Sequence, residues 1–513
     1  MRLFNSILAA LVAILLFGGA MEGGLRLIGF GPPTTLNRFD AVTGWSKTPG
    51  LEVQRSGKEY EVDFAFNSVG LRDDEGVLPD SKKSDQKRIL VLGDSFVLGF
   101  SVQRQDLFVD LLDGRWGSQA ETVNVGTEGW STDQAVAWLE DQGNDWQPDV
   151  VLLMPYENDL YWNTRQQYMR HPKPRYSEAG ERGSQGLTDP GPAPLRDRSA
   201  LARLFLSKTG SLPRIESNGH RLLAEHGVLL ENGGPDGDAI RRHTSGCFKA
   251  LARWSQENGT PVLICPIPAH SAVDEAYAQD VFGPLVLGGL GRSAWDANRP
   301  VDLFLELAAA EGLATLDARP ALSASLEKGE QPYFSIDWHL NPTGNRVLAD
   351  VLHDELARLA WVPPGTDTTP AIGSTSPSSP FTKPALLYAL LVALLGTLFA
   401  RQYPDEKPAR AYIMVAGLLG LVFGLVLGSG ALLAVVPQDL RPVLSTLVVL
   451  ILFGFIAYKL GDRLTIIAGL MAAFIRRGHW YLMPLLVVLL TVGSLLVVAA
   501  SSPLVAPFIY TLF

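Results

Sequence analysis

The sequence predicts a three-layer α/β domain with a doubly wound parallel sheet, together with an N-terminal membrane anchor and a C-terminal α-helical transmembrane bundle. Five short apolar runs lie within residues 88–316, and helical patterns separate them. Apolar runs without alternation are typical of strands that are buried on both faces of a parallel sheet. Strands that alternate with helices indicate a doubly wound sheet. Long apolar stretches at both ends of the chain predict the membrane segments.

The predicted strands are short and rich in apolar residues: Arg88–Leu92, Thr122–Val125, Val150–Met154, Val262–Ile267 and Leu313–Leu316. The predicted helices follow these strands, near residues 105–114, 131–142, 240–257, 301–312 and 343–360. In doubly wound sheets, ligands bind beyond the carboxyl ends of the strands. The residues just after each strand are therefore the first candidates for function.

Charge is divided unevenly along the 513 residues, of which 19% are charged. Residues 384–513 contain eight Lys and Arg against four Asp and Glu, a net charge of +4, whereas the remainder carries −14. This composition excludes a single soluble domain and a disordered chain. Because an acidic polar part repels phosphate, no nucleic acid is expected as a partner.

Residues 1–30 are predicted to form an uncleaved membrane anchor, because an apolar run from Ile7 to Met21 continues to Phe30. A cleaved signal peptide is the alternative, since small residues at 18–20 suit a cleavage site. Within residues 385–513 about four spans are predicted, at 385–400, 411–436, 443–458 and 480–500. Residues 464–475 are too short for a span and predict an interfacial or buried helix.

Basic residues predict the orientation of these segments. Seven Lys and Arg lie in the two loops predicted on the cytoplasmic side, against Arg441 alone in the outer loop and tail. Because loops rich in Lys and Arg remain in the cytoplasm, residues 31–383 are expected on the other side of the membrane. A linker rich in Pro, Ser and Thr, residues 363–384, joins this exported part to the bundle.

The candidate site residues follow predicted strands or precede the last predicted helix: Ser95, Gly126, Asn158, Asp337 and His339. A serine hydroxyl needs an adjacent base to act as a nucleophile, and His339 can supply that base while Asp337 orients it. The oxyanion of a tetrahedral intermediate needs donors, which the backbone N–H groups of Ser95 and Gly126 and the Asn158 amide can supply. The pattern predicts acyl transfer through Ser95, with no metal and no cofactor.

The motifs around these residues resemble the SGNH hydrolase superfamily, also called GDSL-like esterases, over roughly residues 85–360. GDS at 93–95, NVG at 124–126, END at 157–159 and DWHLN at 337–341 occur in the family's order. The resemblance implies an SGNH/flavodoxin-like fold and an enzyme that cleaves ester bonds. It also implies that Ser95 is the nucleophile, that His339 is the base, and that Gly126 and Asn158 belong to the oxyanion hole.

Two features depart from the family pattern. The Gly of the family's GxND motif is replaced by Tyr156 here. The family often has Asp-x-x-His, whereas Asp337 and His339 are separated by a single residue. The shorter spacing leaves two roles open for Asp337: it orients His339, or it caps a loop.

The remaining segments allow more than one interpretation. Residues 31–84 are predicted to be extended and to pack on the hydrolase-like domain, which is expected over 85–362. An insertion at 164–235 is either a solvated loop or a lid that touches a polymeric or anionic substrate. Its basic stretch consists of Arg165, Arg170, Lys173 and Arg175.

Two cysteines, Cys247 and Cys265, are too few for a disulfide framework. We expect both thiols to be free and buried. A disulfide between them is the alternative, because an exported domain meets an oxidising environment.

The C-terminal bundle resembles small uncharacterised bacterial membrane-protein families. The part from Arg476 to Phe513 resembles one such family and the part before it another, and neither implies an activity. Together with the basic loops, this predicts a multi-pass protein of the bacterial inner (cytoplasmic) membrane, with the catalytic domain on the periplasmic or extracellular side.

These observations predict a membrane-anchored, exported serine esterase that acts on O-acyl groups, above all O-acetyl groups, of an envelope or secreted glycan. An O-acyltransferase is an alternative, because both reactions pass through the same acyl-enzyme. A non-catalytic glycan-binding scaffold of a polysaccharide assembly complex is another. The expected partners are an acylated glycan or small ester, the membrane, and membrane proteins of a polysaccharide pathway.

Overall fold

The structure is a computed structural model that describes residues 35–183, 186–193, 195–205 and 212–363, and single positions or pairs near both ends of the chain. The predicted anchor, linker and C-terminal spans lie almost entirely outside the described residues. Among the residues that are described, no helix combines the length and the apolar character needed to cross a bilayer. The chain divides into two compact units, one of residues 33–193 and 209–372 and the other of residues 1–32, 194–208 and 373–513.

Thirteen strands lie in the described part of the chain, and all belong to the first unit. In chain order they are β1 (Asn37–Asp40), β2 (Gly44–Lys47), β3 (Glu52–Ser56), β4 (Glu61–Ala65), β5 (Lys87–Gly93), β6 (Ala120–Asn124), β7 (Val150–Met154), β8 (Gln167–Tyr168), β9 (His171–Pro172), β10 (Arg214–Ser217), β11 (His220–Leu223), β12 (Val262–Ile264) and β13 (Ala314–Thr315).

The α-helices of the described residues vary from one turn to six. In chain order they are α1 (Ser95–Leu98), α2 (Phe108–Trp116), α3 (Thr132–Gln142), α4 (Asp159–Trp162), α5 (Ala200–Phe205), α6 (Gly237–Asn258), α7 (His270–Val273), α8 (Glu275–Tyr277), α9 (Gly283–Val286), α10 (Arg299–Ala310), α11 (Arg319–Glu327) and α12 (Pro342–Arg358). Helix α5 belongs to the second unit.

The central sheet has five strands in the order β13-β12-β7-β5-β6, and each neighbouring pair is parallel. Counted along the chain from the β6 edge, the order is 2-1-3-4-5, which is typical of flavodoxin-like doubly wound sheets. The winding direction reverses between β5 and β7, where a crevice opens beyond the carboxyl ends of the strands. The prediction of a doubly wound parallel sheet is confirmed.

Helices cover both faces of this sheet, because successive side chains of a strand point to opposite faces. On one face Leu90 and Leu92 of β5 belong to a core with buried side chains of α3, α6 and α10. On the other face Ile89 and Val91 belong to a core with side chains of α2, α11 and α12. The arrangement is the predicted three-layer α/β fold.

The two cysteines are both free and buried. Cys247, on α6, lies in the first of these cores, whereas Cys265, directly after β12, lies in the second. The sheet therefore separates the two thiols, and this structure contains no disulfide between them.

The element boundaries differ from prediction mainly at β12. The strand ends at Ile264 and not at Ile267, because Pro266 has no N–H to donate to the sheet. The N–H groups of Cys265 and Ile267 still donate to the carbonyls of Leu153 and Pro155, at 3.0 and 2.9 Å. The chain thus continues beside β7 as irregular backbone.

The segment before β5 forms two antiparallel hairpins, β1–β2 and β3–β4. Strand β4 alternates exposed and buried residues, and its Val62 and Phe64 form a small core with Leu36, Phe66 and Leu98. Because Leu98 is the last residue of α1, this core joins the N-terminal hairpins to the helix that carries Ser95.

The basic stretch of the insertion is largely engaged within the protein. The ammonium group of Lys173 is fully buried and pairs with the buried carboxylate of Asp133, and it also donates to the carbonyl of Trp162 at 3.0 Å. Arg165 pairs with Asp236 at 2.9 Å. A buried Lys173 fits neither a solvated loop nor a surface that contacts an anionic substrate.

Candidate active site

Ser95 is the first residue of α1 and follows β5 directly, at the carboxyl end of a central strand. The carboxylate of Asp94 caps this helix by accepting the N–H of Phe96 at 2.9 Å. Burial raises the pKa of Asp94 to about 6. The N–H of Ser95, as the first of the helix, has no intrahelical acceptor. The turn therefore presents a hydroxyl and a backbone donor at the same position.

His339 lies opposite Ser95 and connects it to Asp337. The Ser95 hydroxyl lies 2.8 Å from Nε2 of His339, and Nδ1 of the same ring lies 2.5 Å from Oδ1 of Asp337. A proton on Nδ1, held by the carboxylate, leaves Nε2 as an acceptor for the hydroxyl proton. The three side chains that the sequence singles out as nucleophile, base and orienting carboxylate are thus brought together in one chain of hydrogen bonds.

The backbone at Trp338 explains how a single intervening residue is enough. Trp338 has φ of +70°, in the left-handed region, which turns the chain sharply between Asp337 and His339. Both side chains of the Asp-x-His motif therefore point to the same side. Of the two roles left open for Asp337, the structure shows the hydrogen bond to the imidazole.

Asp337 interacts with two further residues that sequence reasoning missed. The hydroxyl of Ser101 donates to Oδ1, and the hydroxyl of Tyr60 interacts electrostatically with this carboxylate. Burial alone would raise the pKa of Asp337, but the interactions with His339, Ser101 and Tyr60 outweigh it, and the pKa lies below its usual value. The carboxylate is thus kept ionised beside the imidazole.

Gly126 lies where the chain after β6 passes the backbone of α1. A Cβ atom on Gly126 would lie 2.2 Å from the nitrogen of Leu98 and 2.5 Å from the carbonyl carbon of Val97, so only glycine fits. Its N–H, which the sequence analysis assigns to the oxyanion hole, donates to Oδ1 of Asn124 at 2.9 Å. An oxyanion bound by this N–H has to share it with Oδ1 of Asn124 or displace that oxygen.

Asn158 follows β7, the strand next to β5 on the other side of the sheet's reversal point. Within the described part of the chain, its buried Oδ1 has no hydrogen-bond partner. The side chain is therefore not committed to holding the fold. The neighbouring Tyr156, which replaces the family's glycine, stacks on Phe96 at 4.5 Å between ring centroids, and Phe96 lies equally close to His339.

Two further buried acids lie beside Asn158. Burial, followed by the charge of Glu225, raises the pKa of Glu157 to about 7, and Oε2 of Glu157 lacks a donor among the described residues. Asp159 is also buried, which raises its pKa, and its Oδ2 accepts the Thr132 hydroxyl at 2.9 Å. Neither acid contacts the Ser95–His339 pair through a hydrogen bond in the described structure.

The signals for the missed residues are weak in the sequence. Ser101 belongs to no motif, and Tyr60 lies in a polar hairpin tip that is 277 positions from Asp337. Only the three-dimensional contact shows their connection to the site. Among the described residues, no group of His, Cys, Asp and Glu is arranged to hold a metal ion.

Several solved structures are similar to this chain at low identity. An acetyl xylan esterase, AlAXEase, matches with 18% identity and a TM-score of 0.31, over 52% of this chain and 99% of its own. A lipase/acylhydrolase from Enterococcus faecalis matches with 14% identity and a TM-score of 0.28, over 55% and 99%. A mutant of Axe2, an acetyl-xylooligosaccharide esterase from Geobacillus, matches with 13% identity and a TM-score of 0.30, over 54% and 96%.

Two other comparisons concern the sequence itself. Among curated proteins, none matches this chain. Residues 464–513 match a family described as a family of unknown function (DUF5989). This match overlaps the C-terminal part that resembles a small uncharacterised family.

Proposed function

We propose that this chain is a membrane-anchored serine esterase that removes O-acyl groups from a glycan through a covalent acyl-enzyme. The observation that carries the proposal is the chain of hydrogen bonds from Ser95 through His339 to Asp337, at 2.8 and 2.5 Å. A nucleophile bonded to a base that is itself oriented by a third group is the arrangement that activates a hydroxyl.

The first half of the reaction transfers the acyl group to the enzyme. Oγ of Ser95 attacks the acyl carbonyl while Nε2 of His339 takes the hydroxyl proton. The carbonyl π electrons move to oxygen, and the resulting oxyanion is bound by the N–H of Ser95, the N–H of Gly126 and Nδ2 of Asn158. His339 then returns the proton to the leaving glycan oxygen as the ester bond breaks.

The second half of the reaction releases the acid. A water molecule gives its proton to His339 and attacks the acyl-enzyme, and the Ser95 oxygen leaves with the proton that His339 returns. Asp337 remains ionised throughout and stabilises the imidazolium that forms twice in the cycle.

The sequence supports the proposed glycan substrate and location. The predicted anchor and the basic loops of the C-terminal part favour a position of the acidic domain outside the cytoplasm, where polymers of the cell envelope pass. An ester on such a polymer, above all an O-acetyl ester, is therefore the proposed substrate, and membrane proteins of a polysaccharide pathway are the proposed partners.

The proposal is tested by labelling the full-length protein in its membrane with a fluorophosphonate, which reacts with activated serines. We expect labelling of the wild type and none of Ser95→Ala, together with loss of p-nitrophenyl acetate hydrolysis in that variant. Ser255→Ala is the matched control, because it removes a hydroxyl that donates to the carbonyl of Thr260 at 2.7 Å, away from Ser95, His339 and Asp337. Equal labelling of the wild type and Ser95→Ala, or none of either, would contradict the assignment of Ser95.

A second measurement addresses the acceptor. Purified protein is incubated with an acetylated oligosaccharide in the presence and absence of a non-acetylated one. Release of free acetate at the same rate in both mixtures supports an esterase. Transfer of most acetyl groups to the second oligosaccharide would instead show a transferase.

A further inference from the structure

The tip of the β3–β4 hairpin lies against the loop that carries Asp337 and His339. This loop, residues 334–339, is closed at its base by a hydrogen bond from the N–H of Phe334 to the carbonyl of His339, at 2.9 Å. Its outer part is exposed at Ser335 and Ile336. The hairpin supplies hydrogen bonds to this outer part.

Glu59, at the hairpin tip, binds three consecutive backbone donors of the loop. Its Oε1 accepts the N–H of Ser335 at 2.9 Å, and its Oε2 accepts the N–H groups of Ile336 and Asp337 at 2.7 and 3.0 Å. Hydrogen bonds to a carboxylate are about twice as strong as those between neutral groups. A carboxylate that binds three adjacent N–H groups fixes the path of the backbone just before Asp337.

Tyr60, the next residue, holds the side chain of Asp337 itself. Its hydroxyl interacts electrostatically with this carboxylate, while its ring packs against Phe334 at 5.9 Å and Phe100 at 6.3 Å between centroids. Phe100 in turn stacks on the imidazole of His339 at 5.7 Å. The hairpin therefore contacts the carboxylate directly and the imidazole through one ring.

The same N-terminal segment also holds the other side of the site. The buried guanidinium of Arg72 lies over the ring of Phe64 in β4 and donates to the carbonyls of Leu98 and Val102, at 2.8 and 3.0 Å. Leu98 ends the helix that begins with Ser95. The N-terminal segment thus contacts both α1, which begins with Ser95, and the loop that carries Asp337 and His339.

From these contacts we infer that Glu59 and Tyr60 are positioning residues of the active site. The β3–β4 hairpin, which precedes the α/β fold in the chain, is therefore needed for full catalytic activity. Glu59 sets the distance between the Asp337 loop and Ser95, and Tyr60 sets the orientation of the Asp337 carboxylate. This inference rests on the proposed function of the Ser95 site.

The two roles predict different effects. Glu59→Gln replaces one accepting oxygen with a donor that faces backbone N–H groups, so the loop is displaced and kcat falls at least about tenfold with little change in KM, because small misplacements of a catalytic group lower the rate steeply. Tyr60→Phe keeps the ring but leaves more negative charge on Asp337 for His339. The imidazolium is then more stable, and the acidic limb of the pH profile of kcat/KM moves to higher pH.

Other charged groups that face these residues stay unchanged in both variants. Arg55 faces the hydroxyl of Tyr60, and Asp94 faces the imidazole of His339. A displaced pH profile in Tyr60→Phe is therefore assigned to the loss of the Tyr60 hydroxyl.

The experiment compares the rate of fluorophosphonate labelling and the pH profile of p-nitrophenyl acetate hydrolysis in the full-length protein. The controls are Glu52→Gln, an exposed carboxylate of the same hairpin, and Tyr176→Phe, which loses a 2.6 Å bond to Glu140 away from the triad. Labelling and hydrolysis rates of Glu59→Gln and Tyr60→Phe below those of the controls, together with a pH profile of kcat/KM that moves to higher pH in Tyr60→Phe, support the inference. Rates and profiles equal to those of the controls, in a wild type that is labelled, overturn the inference alone. A wild type that is not labelled overturns the proposed function and the inference with it.

Discussion

The Ser95 hydroxyl and Nε2 of His339 lie 2.8 Å apart although 244 positions separate the two residues in the chain. The distance is set by two different parts of the fold. Ser95 is held at the end of the central strand β5, whereas His339 is held on a loop that leads into α12. Changes in the loop should therefore alter the rate of reaction without disturbing the sheet, and the predictions below use this separation.

Replacing Asp337 by asparagine should lower kcat by several orders of magnitude. The loop is retained, because Glu59 binds its backbone N–H groups and not the Asp337 side chain. An NH2 group that faces Nδ1 of His339 cannot accept its proton and favours the wrong tautomer of the imidazole. In a serine protease the equivalent change costs about 10⁴ in kcat. Asp354→Asn is the control, since Asp354 is an exposed carboxylate 3.3 Å from the neighbouring His353. A loss of less than about tenfold in steady-state hydrolysis would mean that Asp337 only caps the loop.

Substitutions at Trp338 should separate the backbone requirement from the side chain. The left-handed conformation, with φ of +70°, costs roughly 1–2 kcal/mol for residues other than glycine and is worst for β-branched residues. Trp338→Gly should therefore keep the fluorophosphonate labelling rate within about threefold of wild type, whereas Trp338→Val should lose at least about tenfold. Both variants lack the indole, so a difference in labelling rate between them reflects the left-handed backbone conformation at position 338. Equal rates in the two variants would contradict the explanation of the Asp-x-His spacing.

Glu157 should make the folded protein less stable as the pH rises. Its pKa is raised by burial from 4.5 to about 7, so between these values the folded state binds more protons than the unfolded state. Stability is then lost as the pH rises through this window and stays lower above it. Glu157→Gln should melt at a higher temperature than wild type at pH 8 and gain no such advantage at pH 4.5. The exposed Glu52→Gln serves as the control. An equal difference at both pH values would exclude titration of Glu157 as the cause.

Reporter fusions should place the catalytic domain outside the cytoplasm. Alkaline phosphatase fused at Ser374, in the predicted linker, should be active, a fusion at Pro408 inactive, and a fusion at Phe513 active, because basic loops resist translocation. A cytoplasmic reporter at the same positions should show the reverse pattern. An inactive phosphatase at Ser374 would place Ser95 in the cytoplasm and remove the envelope glycan from the proposed function.

Much of the central sheet could be predicted because strands that are buried on both faces leave continuous apolar runs. Val150–Met154 is observed as predicted, and α6 extends the predicted helix by a few residues. The hairpins before β5 have no such pattern, since their side chains are half exposed and mixed in polarity. They were predicted only as extended chain.

The candidate site, too, could be predicted from the sequence only in part. The GDS motif at the end of a strand identifies Ser95, and the DWHLN motif before the last helix identifies His339. The left-handed backbone at Trp338 and the burial of Lys173 leave no mark in the sequence. Both depend on partners far along the chain, and so does the contact between Glu59 and the Asp337 loop.

That last contact joins residues 278 positions apart, and it has a consequence for biosynthesis. The ribosome makes the hairpin first and the loop near residue 337 only after all five strands of the central sheet, so the nucleophile emerges long before its base. A nascent chain, or one ended by a premature stop codon before residue 339, carries Ser95 but lacks the residue that activates it. Ester cleavage should therefore appear only when synthesis of the domain is complete.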